Sequence, residues 1–291
     1  MRYPQRERRR IRSLRRHHPE LSELLDLLAV AADLGEAEAG FEAGQVPAPL
    51  AGFPPLFPAD FPLDDAAAAV AFRSLLETLA AATGNETAEA IRTALEAGRL
   101  DARPLVEAYI AADGPRFESA ARGLEGVDPD LLVALAELAV KPQFVAAARA
   151  LEAAGRIREP GPGERQDRCP ACGSVPEIGL IIDRPRAERQ LMAVCRLCET
   201  EWPVPRLRCL GCGNENEETL TYLGAEGEEG ARVNVCESCH AYLPVLDTRG
   251  RLEVAPAVER AGLAYLDVVA RERGYRPLTS ILARTTGRTT N

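Results

Sequence analysis

What most constrains this 291-residue chain is the placement of its eight cysteines. Each belongs to a Cys-x-x-Cys pair: Cys169/Cys172, Cys195/Cys198, Cys209/Cys212 and Cys236/Cys239. The first two pairs are 22 residues apart, the last two 23, with 10 residues between the blocks, so pair one recurs as pair three at an offset of 40. Even the flanks repeat, Cys169-Pro-Ala-Cys-Gly173 against Cys209-Leu-Gly-Cys-Gly213. This is an internal duplication of a four-thiolate site. A Cys-x-x-Cys turn aims two sulfurs at one point, and two such turns across a hairpin complete a tetrahedron. The spacing therefore assigns Cys169, Cys172, Cys195 and Cys198 to a first metal site, and Cys209, Cys212, Cys236 and Cys239 to a second. Gly173 and Gly213 can take positive φ, which lets backbone N–H groups approach the sulfurs. Each filled site contributes on the order of 10 kcal/mol of folding free energy. On this reading, serine at both Cys169 and Cys172 removes one metal and unfolds the first ribbon, leaving the helical region intact.

Three other uses of the thiols were weighed. Paired disulfides require an oxidising compartment, for which no secretion signal speaks. Thioredoxin-like chemistry needs one Cys-x-x-Cys at a helix start, not four in a ribbon pattern. Cys236-Glu-Ser-Cys-His240 fits a haem-attachment string, but that use would strand Cys209 and Cys212. His240 reads as a surface group or a neighbour of the ligands. Tetrahedral sulfur sites suit zinc and single rubredoxin-type iron alike, and spacing does not decide between them. The Cys169–Gly173 block resembles a rubredoxin knuckle, whereas the partner knuckles continue with Glu199 and His240 in place of glycine. Four thiolates leave no open coordination position, which argues against metal-assisted hydrolysis.

The remaining chain divides around this block. The first 168 residues contain no cysteine, and Glu159-Pro-Gly-Pro-Gly163 is a linker composition that ends a helix. Leu21, Leu24, Leu25 and Leu28 recur at helical spacing. A connection rich in proline and phenylalanine (47–62) follows, and Asp64 can cap an Ala-rich helix through Phe72 and Leu79 to near Gly84. Further helices are predicted at 87–97, 104–112, 115–123, 129–140 and 142–154, with Pro129 and Pro142 in first turns. Phe41, Phe72, Tyr109, Phe117 and Phe144 read as core. Runs at 178–182, 191–194, 219–223 and 233–235 predict two hairpins, each between cysteine pairs. Helical spacing returns at 258–273, stops at Gly274, and a frayed tail covers 284–291. The predicted fold is α+β: a helical region with a basic arm (1–163), two tandem rubredoxin-like or zinc-ribbon modules (164–208 and 209–247), and a C-terminal helix and tail (248–291).

Charge narrows the function classes. Residues 1–16 hold eight arginines against Glu7, leaving −16 for the remainder of a chain whose net charge is −9. Between Cys209 and His240 stand Glu215, Glu217, Glu218, Glu226, Glu228, Glu229 and Glu237 against Arg232 alone. Such a face repels phosphates and disfavours nucleic acid as a partner. The first ribbon is more mixed, with Arg184, Arg186, Arg189, Arg196, Arg206 and Arg208, and reads as a solvated face. Lys141 is the only lysine, a preference for arginine that we attribute to coding bias. The arginine pairs suggest an export leader, but an acid-punctuated helix follows His17-His18-Pro19-Glu20 where an apolar segment and cleavage site would be required. No stretch approaches the length of apolar sequence that spans a bilayer. A cytoplasmic protein without membrane insertion is expected.

The motifs together resemble the formate dehydrogenase accessory protein family, FdhE. The resemblance rests on Cys169–Pro176, Cys195-Arg-Leu-Cys-Glu-Thr-Glu-Trp202, Arg206-Leu-Arg-Cys-Leu-Gly-Cys-Gly213, Thr221-Tyr-Leu223 and Cys236–Leu243, and extends to Leu263–Asp267 and Glu272–Arg276. It is dense over about residues 165–277 and faint before. It implies a cytoplasmic accessory factor, not itself an enzyme, required to form active formate dehydrogenase. Family members act on the molybdenum- or tungsten-containing catalytic subunit and carry two metal ions per chain in rubredoxin-like modules, with iron reported. The chain departs from the family at Glu259-Arg260-Ala261-Gly262, where a pair of aspartates is usual, and at Arg186-Ala187-Glu188-Arg189, where a glycine is usual. A redox carrier with rubredoxin-type iron, and a nucleic-acid-binding ribbon protein, are the competing functions. Trp202, the only tryptophan, serves either ribbon packing or a partner.

Overall fold

Proline and aspartate punctuate the helical region, and the chain folds accordingly. The structure, a computed structural model, describes residues 3–37, 42, 44, 46, 56, 61–83, 86–161, 166–184, 187–224, 230–251 and 254–278. Most of the 47–62 connection, Phe41, Gly84, Pro162-Gly163, Arg186, Glu226, Glu228, Glu229 and the tail at 284–291 lie outside them. The described helices begin with α1 (Tyr3–His17), α2 (Ser22–Ala37), α3 (Asp65–Thr83), α4 (Glu86–Glu96), α5 (Ala102–Ala111), α6 (Gly114–Arg122) and α7 (Pro129–Ala153). Side-chain caps start several of them: Asp64 accepts from the Ala67 N–H (2.9 Å), Asp101 from Arg103 (3.1 Å) and Asp128 from Asp130 (2.8 Å). Phe72, Leu75, Leu105, Phe117, Leu132 and Phe144 are fully buried between them.

Three sequence expectations are corrected here. The first is the break at Pro142, where two helices were predicted and a single 25-residue α7 runs through. An interior proline costs about 3 kcal/mol, but Lys141, Pro142 and Gln143 are all buried. The Gln143 amide also closes two bonds onto the Asp64 backbone, accepting from its N–H (2.9 Å) and donating to its carbonyl (3.0 Å). Tertiary burial outweighs local propensity. Unbroken, α7 is long and apolar enough to cross a membrane by length and composition, but 78% of that apolar window is buried inside the protein. The second is the basic arm, for which no helix is predicted from spacing and which forms helix α1. Its Ile11 and Leu14 are buried against Leu25, Val258 and Ala261. The third is the C-terminal helix, which splits at Leu263 into α8 (Pro256–Gly262) and α9 (Ala264–Glu272).

The strands are β1 (Pro176–Arg184), β2 (Ala187–Cys195), β3 (Glu201–Val204), β4 (Leu220–Leu223), β5 (Ala231–Cys236), β6 (Ala241–Asp247) and the two-residue β7 (Arg276–Pro277). They form one sheet in the order β3-β2-β1-β6-β5-β4, with β7 beside β6. The sequence pattern shows the two hairpins β1–β2 and β4–β5 but not β3 and β6, each of which follows the second knuckle of its block. The duplication therefore includes a third strand per module. The modules join where β1 runs parallel to β6, pairing Gly179 with Val245 and Leu180 with Leu246. One face of the sheet carries Leu180, Met192, Val233 and Tyr242 against Leu266 and Ala270 of α9. The other carries Ile181, Leu191, Ala193, Leu243 and Val245, which are continuous with the helical core.

Candidate metal centres

The four knuckles share one backbone device. In each, the residue four after the leading cysteine donates its N–H to that cysteine's carbonyl: Gly173 to Cys169 (2.9 Å), Glu199 to Cys195 (3.2 Å), Gly213 to Cys209 (2.9 Å) and His240 to Cys236 (2.8 Å). That closure needs a left-handed residue, and all four adopt it, with φ of 73°, 58°, 76° and 54°. Glu199 and His240 thus do what glycine does in the other two knuckles, at the steric cost a Cβ imposes. β1 and β6 begin, and β2 and β5 end, at the same end of the sheet, so both cysteine groups lie there.

At each site the thiols converge. Cys169, Cys172, Cys195 and Cys198 form one group and Cys209, Cys212, Cys236 and Cys239 the other, with all sulfurs of a group within 4.8 Å of one another. In the first, Cys169 and Cys198 are 3.5 Å apart and Cys172 and Cys195 3.4 Å. In the second, Cys209 and Cys239 are 3.6 Å apart and Cys212 and Cys236 3.8 Å. A tetrahedron with metal–sulfur bonds of about 2.3 Å has sulfur–sulfur edges of about 3.8 Å, so the donor sets fit a thiolate-bound cation. Backbone N–H groups point at the sulfurs, from Ala171 to Cys169 (3.4 Å), Cys198 to Cys195 (3.5 Å) and Gly211 to Cys209 (3.3 Å). His240 is exposed and stands outside the second group, its ring centroid 5.8 Å from that of Tyr275.

Burial separates the two groups. All four thiols of the first are at most 2% exposed. Burial pushes the Cys169 and Cys172 thiols well above the ordinary range, while at Cys198 hydrogen bonds from Cys169, Cys172, Cys195 and Thr200 outweigh burial and bring the thiol well below it. In the second, Cys212 is exposed and Cys239 half-buried. Burial raises the Cys239 thiol to about 11. At Cys236 burial also opposes ionisation, but N–H groups of Cys239 and Ser238 with Asn214 bring the thiol down to about 7. Asn214 is held for this by Thr219, whose hydroxyl accepts from its amide at 2.7 Å.

Sequence reasoning missed the ionic junction behind the first site. Arg196, inside the second knuckle, bonds Glu137 of α7. Burial opposes the Arg196 charge, and the Glu137 carboxylate more than offsets it. One helical turn on, Lys141 lies 3.2 Å from Glu199 and 3.6 Å from Glu177, with Arg149 at 3.8 Å from Glu199. Burial works against a charge on Glu199, raising its carboxyl to about 8. The Glu201 carboxylate adds to that cost, and Lys141 and Arg149 are the cations placed 3.2 and 3.8 Å from Glu199. The signal was present: Glu137 and Lys141, four residues apart, are charges on one face of an otherwise apolar stretch. The lone lysine is a structural residue and not merely a by-product of coding. Trp202, left open above, is fully buried, and its indole N–H donates to the Gln166 carbonyl at 2.8 Å.

These features have counterparts in known proteins. Residues 168–206 match the family model described as FdhE, central domain. Across 96% of this chain and 95% of the other, the fold superposes on the crystal structure of the FdhE protein from Pseudomonas aeruginosa, with a TM-score of 0.62 and 27% identity. The chain is FdhE-like. Curated relatives agree over shorter segments. A Protein FdhE homolog of Aquifex aeolicus (strain VF5) is 30% identical over 107 residues, which is 37% of this chain and 38% of that protein. One of Stutzerimonas stutzeri (strain A1501) is 37% identical over 119 residues, which is 38% of this chain and 37% of that protein. The FdhE-like chain thus spans less than two fifths of the length of these relatives in sequence, whereas the structural likeness runs nearly end to end.

Proposed function

We propose that this protein is an accessory factor required to form active formate dehydrogenase. In this reading it binds the enzyme's catalytic subunit in the cytoplasm, is not itself an enzyme, and carries one metal ion, iron or zinc, in each four-thiol site. The observation that carries the reading is the pair of converged tetrathiol groups on one end of a sheet whose fold is shared with an FdhE protein along nearly its whole length. The thiolates of Cys169, Cys172, Cys195 and Cys198, and of Cys209, Cys212, Cys236 and Cys239, would hold the ions. A bound ion would supply cross-linking of its knuckles and, if it is iron, a one-electron couple. Four thiolates fill the coordination sphere, which suits a structural or recognition role better than metal-assisted hydrolysis.

The test is anaerobic affinity purification of the tagged protein from its own host, with co-purifying chains identified by mass spectrometry. Recovery of a formate dehydrogenase catalytic subunit, lost in the Cys236→Ser/Cys239→Ser variant, is expected. Recovery of the protein alone while that subunit is expressed would overturn the reading. A second reading, a rubredoxin-like iron redox carrier, is favoured by one feature: the exposure of Cys212 brings the second site within reach of an electron-transfer partner. A reversible potential and a visible thiolate-to-iron band support that alternative; a redox-silent zinc protein removes it.

A further inference from the structure

Alternation along the strands leaves one part of the sheet uncovered. Leu220 and Tyr222 of β4, Arg232 and Asn234 of β5, Leu243 of β6 and Leu191 of β2 share a face. They line a cavity of about 470 Å³, within the range of ligand sites. Cys209 and Cys236 of the second metal site form part of its wall. Arg206, Leu207 and Arg208, leading into that site, form another. Of the four exposed large apolar side chains among the described residues, Leu207 and Tyr222 both flank this groove. Its outer side is bounded by β4, the terminal strand of the sheet on that side.

The groove's charge is opposite to that of the chain. Arg232 lies 5.2 Å over the Tyr222 ring and donates to the Asn234 side-chain Oδ1 at 3.1 Å. Burial, with Arg206 and Arg189 nearby, works against its charge. Arg206 has no carboxylate within ion-pair distance among the described residues, and Arg189 acts on Asp247. Arg208 has only the exposed Glu215, at 3.6 Å, and nearby Asp247 is engaged by Arg249 at 2.6 Å. Elsewhere Arg10, Arg15, Arg92, Arg103, Arg196 and Arg260 each meet an acid. A chain of net charge −9 has thus left like charges together around an apolar floor.

We infer that this groove is the docking site for an extended, carboxylate-bearing segment of the partner protein. The inference rests on the accessory reading above and deepens it. The carboxylates would meet Arg206 and Arg232, and apolar side chains would cover the exposed Leu207 and Tyr222 above a floor of Leu191 and Leu243. Because Cys209 and Cys236 line the same cavity, a seated segment would touch the second metal site and respond to its state. A nucleic-acid strand fits less well, since apolar Leu191, Leu207, Leu220 and Leu243 line the groove between its arginines, which an alternation of apolar and acidic side chains matches and a continuous run of phosphates does not.

The probe is a short fluorescein-labelled peptide of alternating leucine and glutamate, with its leucine–lysine counterpart and a single-stranded oligonucleotide as comparators, read by anisotropy with the metal-loaded full chain. Selective binding of the acidic peptide is expected, weakened at least tenfold in Arg206→Glu/Arg232→Glu at unchanged metal content. Arg206→Gln/Arg232→Gln replaces that variant if it fails to fold. Equal binding of both peptides, unchanged affinity in the variant, or preference for the oligonucleotide overturns the inference. Subunit capture separates the two levels. If the arginine variant captures the catalytic subunit as well as the natural protein does, the groove assignment falls and the accessory reading stands. If the natural protein captures none, the accessory reading falls while the peptide titration still decides the groove.

Discussion

The two ribbon modules repeat one plan of knuckle, hairpin, knuckle and third strand, yet they occupy different environments. Cys169, Cys172, Cys195 and Cys198 belong to the same apolar cluster as Phe72, Phe117 and Phe144 of the helices, and Leu56 donates its N–H to Ala171 of the first knuckle at 2.7 Å. The hairpin of this module is also the longer, with nine residues in each strand against four and six. The second module keeps the ligand set but exposes Cys212 and opens a groove beside it. Duplication conserved the chemistry of the site, and packing divided its roles. The first site ties the sheet to the helices; the second faces outward.

The largest test of that contrast removes one site at a time. Cys169→Ser/Cys172→Ser is expected to lose one metal equivalent together with stabilisation on the order of 10 kcal/mol, and to lower the helical melting transition measured by circular dichroism. This revises the expectation from spacing alone that the helical region is left intact, because these sulfurs sit inside the shared core. Cys209→Ser/Cys212→Ser is expected to lose the other equivalent and leave the helical transition in place. Equal melting of the two variants would break the comparison.

Next in size is the ionic junction. Lys141→Met takes the shared cation from Glu177 and Glu199, leaving Glu199 only Arg149 at 3.8 Å, and is expected to cost about 3 kcal/mol in urea unfolding. Arg208→Gln, which breaks the exposed pair with Glu215 at the second module, is expected to cost less than about 1 kcal/mol. Similar losses at the two positions would show that the first site is no more tightly packed than the second. The smallest effect is kinetic. A chromophoric chelator should withdraw metal in two steps of one equivalent, the second site roughly tenfold faster, corresponding to an opening difference of about 1.4 kcal/mol. The fast step should vanish in Cys236→Ser/Cys239→Ser; a single rate for both ions contradicts unequal exposure.

Much of the candidate site was legible before the fold. The pairing of cysteines, the positive φ of Gly173 and Gly213, both hairpins and the aspartate-capped helices follow from spacing and residue type. β3 and β6 escaped notice because Glu201-Trp-Pro-Val204 is short and carries a proline, while Ala241–Asp247 is buried through six of its seven residues and lacks alternation. Pro142 misled because the local cost of a proline was visible and the burial that outweighs it was not. Lys141 was noticed as a count and missed as a clamp, since its partners Glu177 and Glu199 are distant in sequence.

The sequence by itself determined which sulfurs meet. A knuckle is a turn of a few residues and a hairpin returns the chain within about twenty, so ligand geometry is encoded in local conformation. Only the tertiary structure decided which site is buried, that α7 remains one helix, that β1 meets β6 to merge two modules into one sheet, and that three arginines line an open groove. Those outcomes depend on segments far apart in the chain competing for the same apolar surface, and residue spacing does not record that competition.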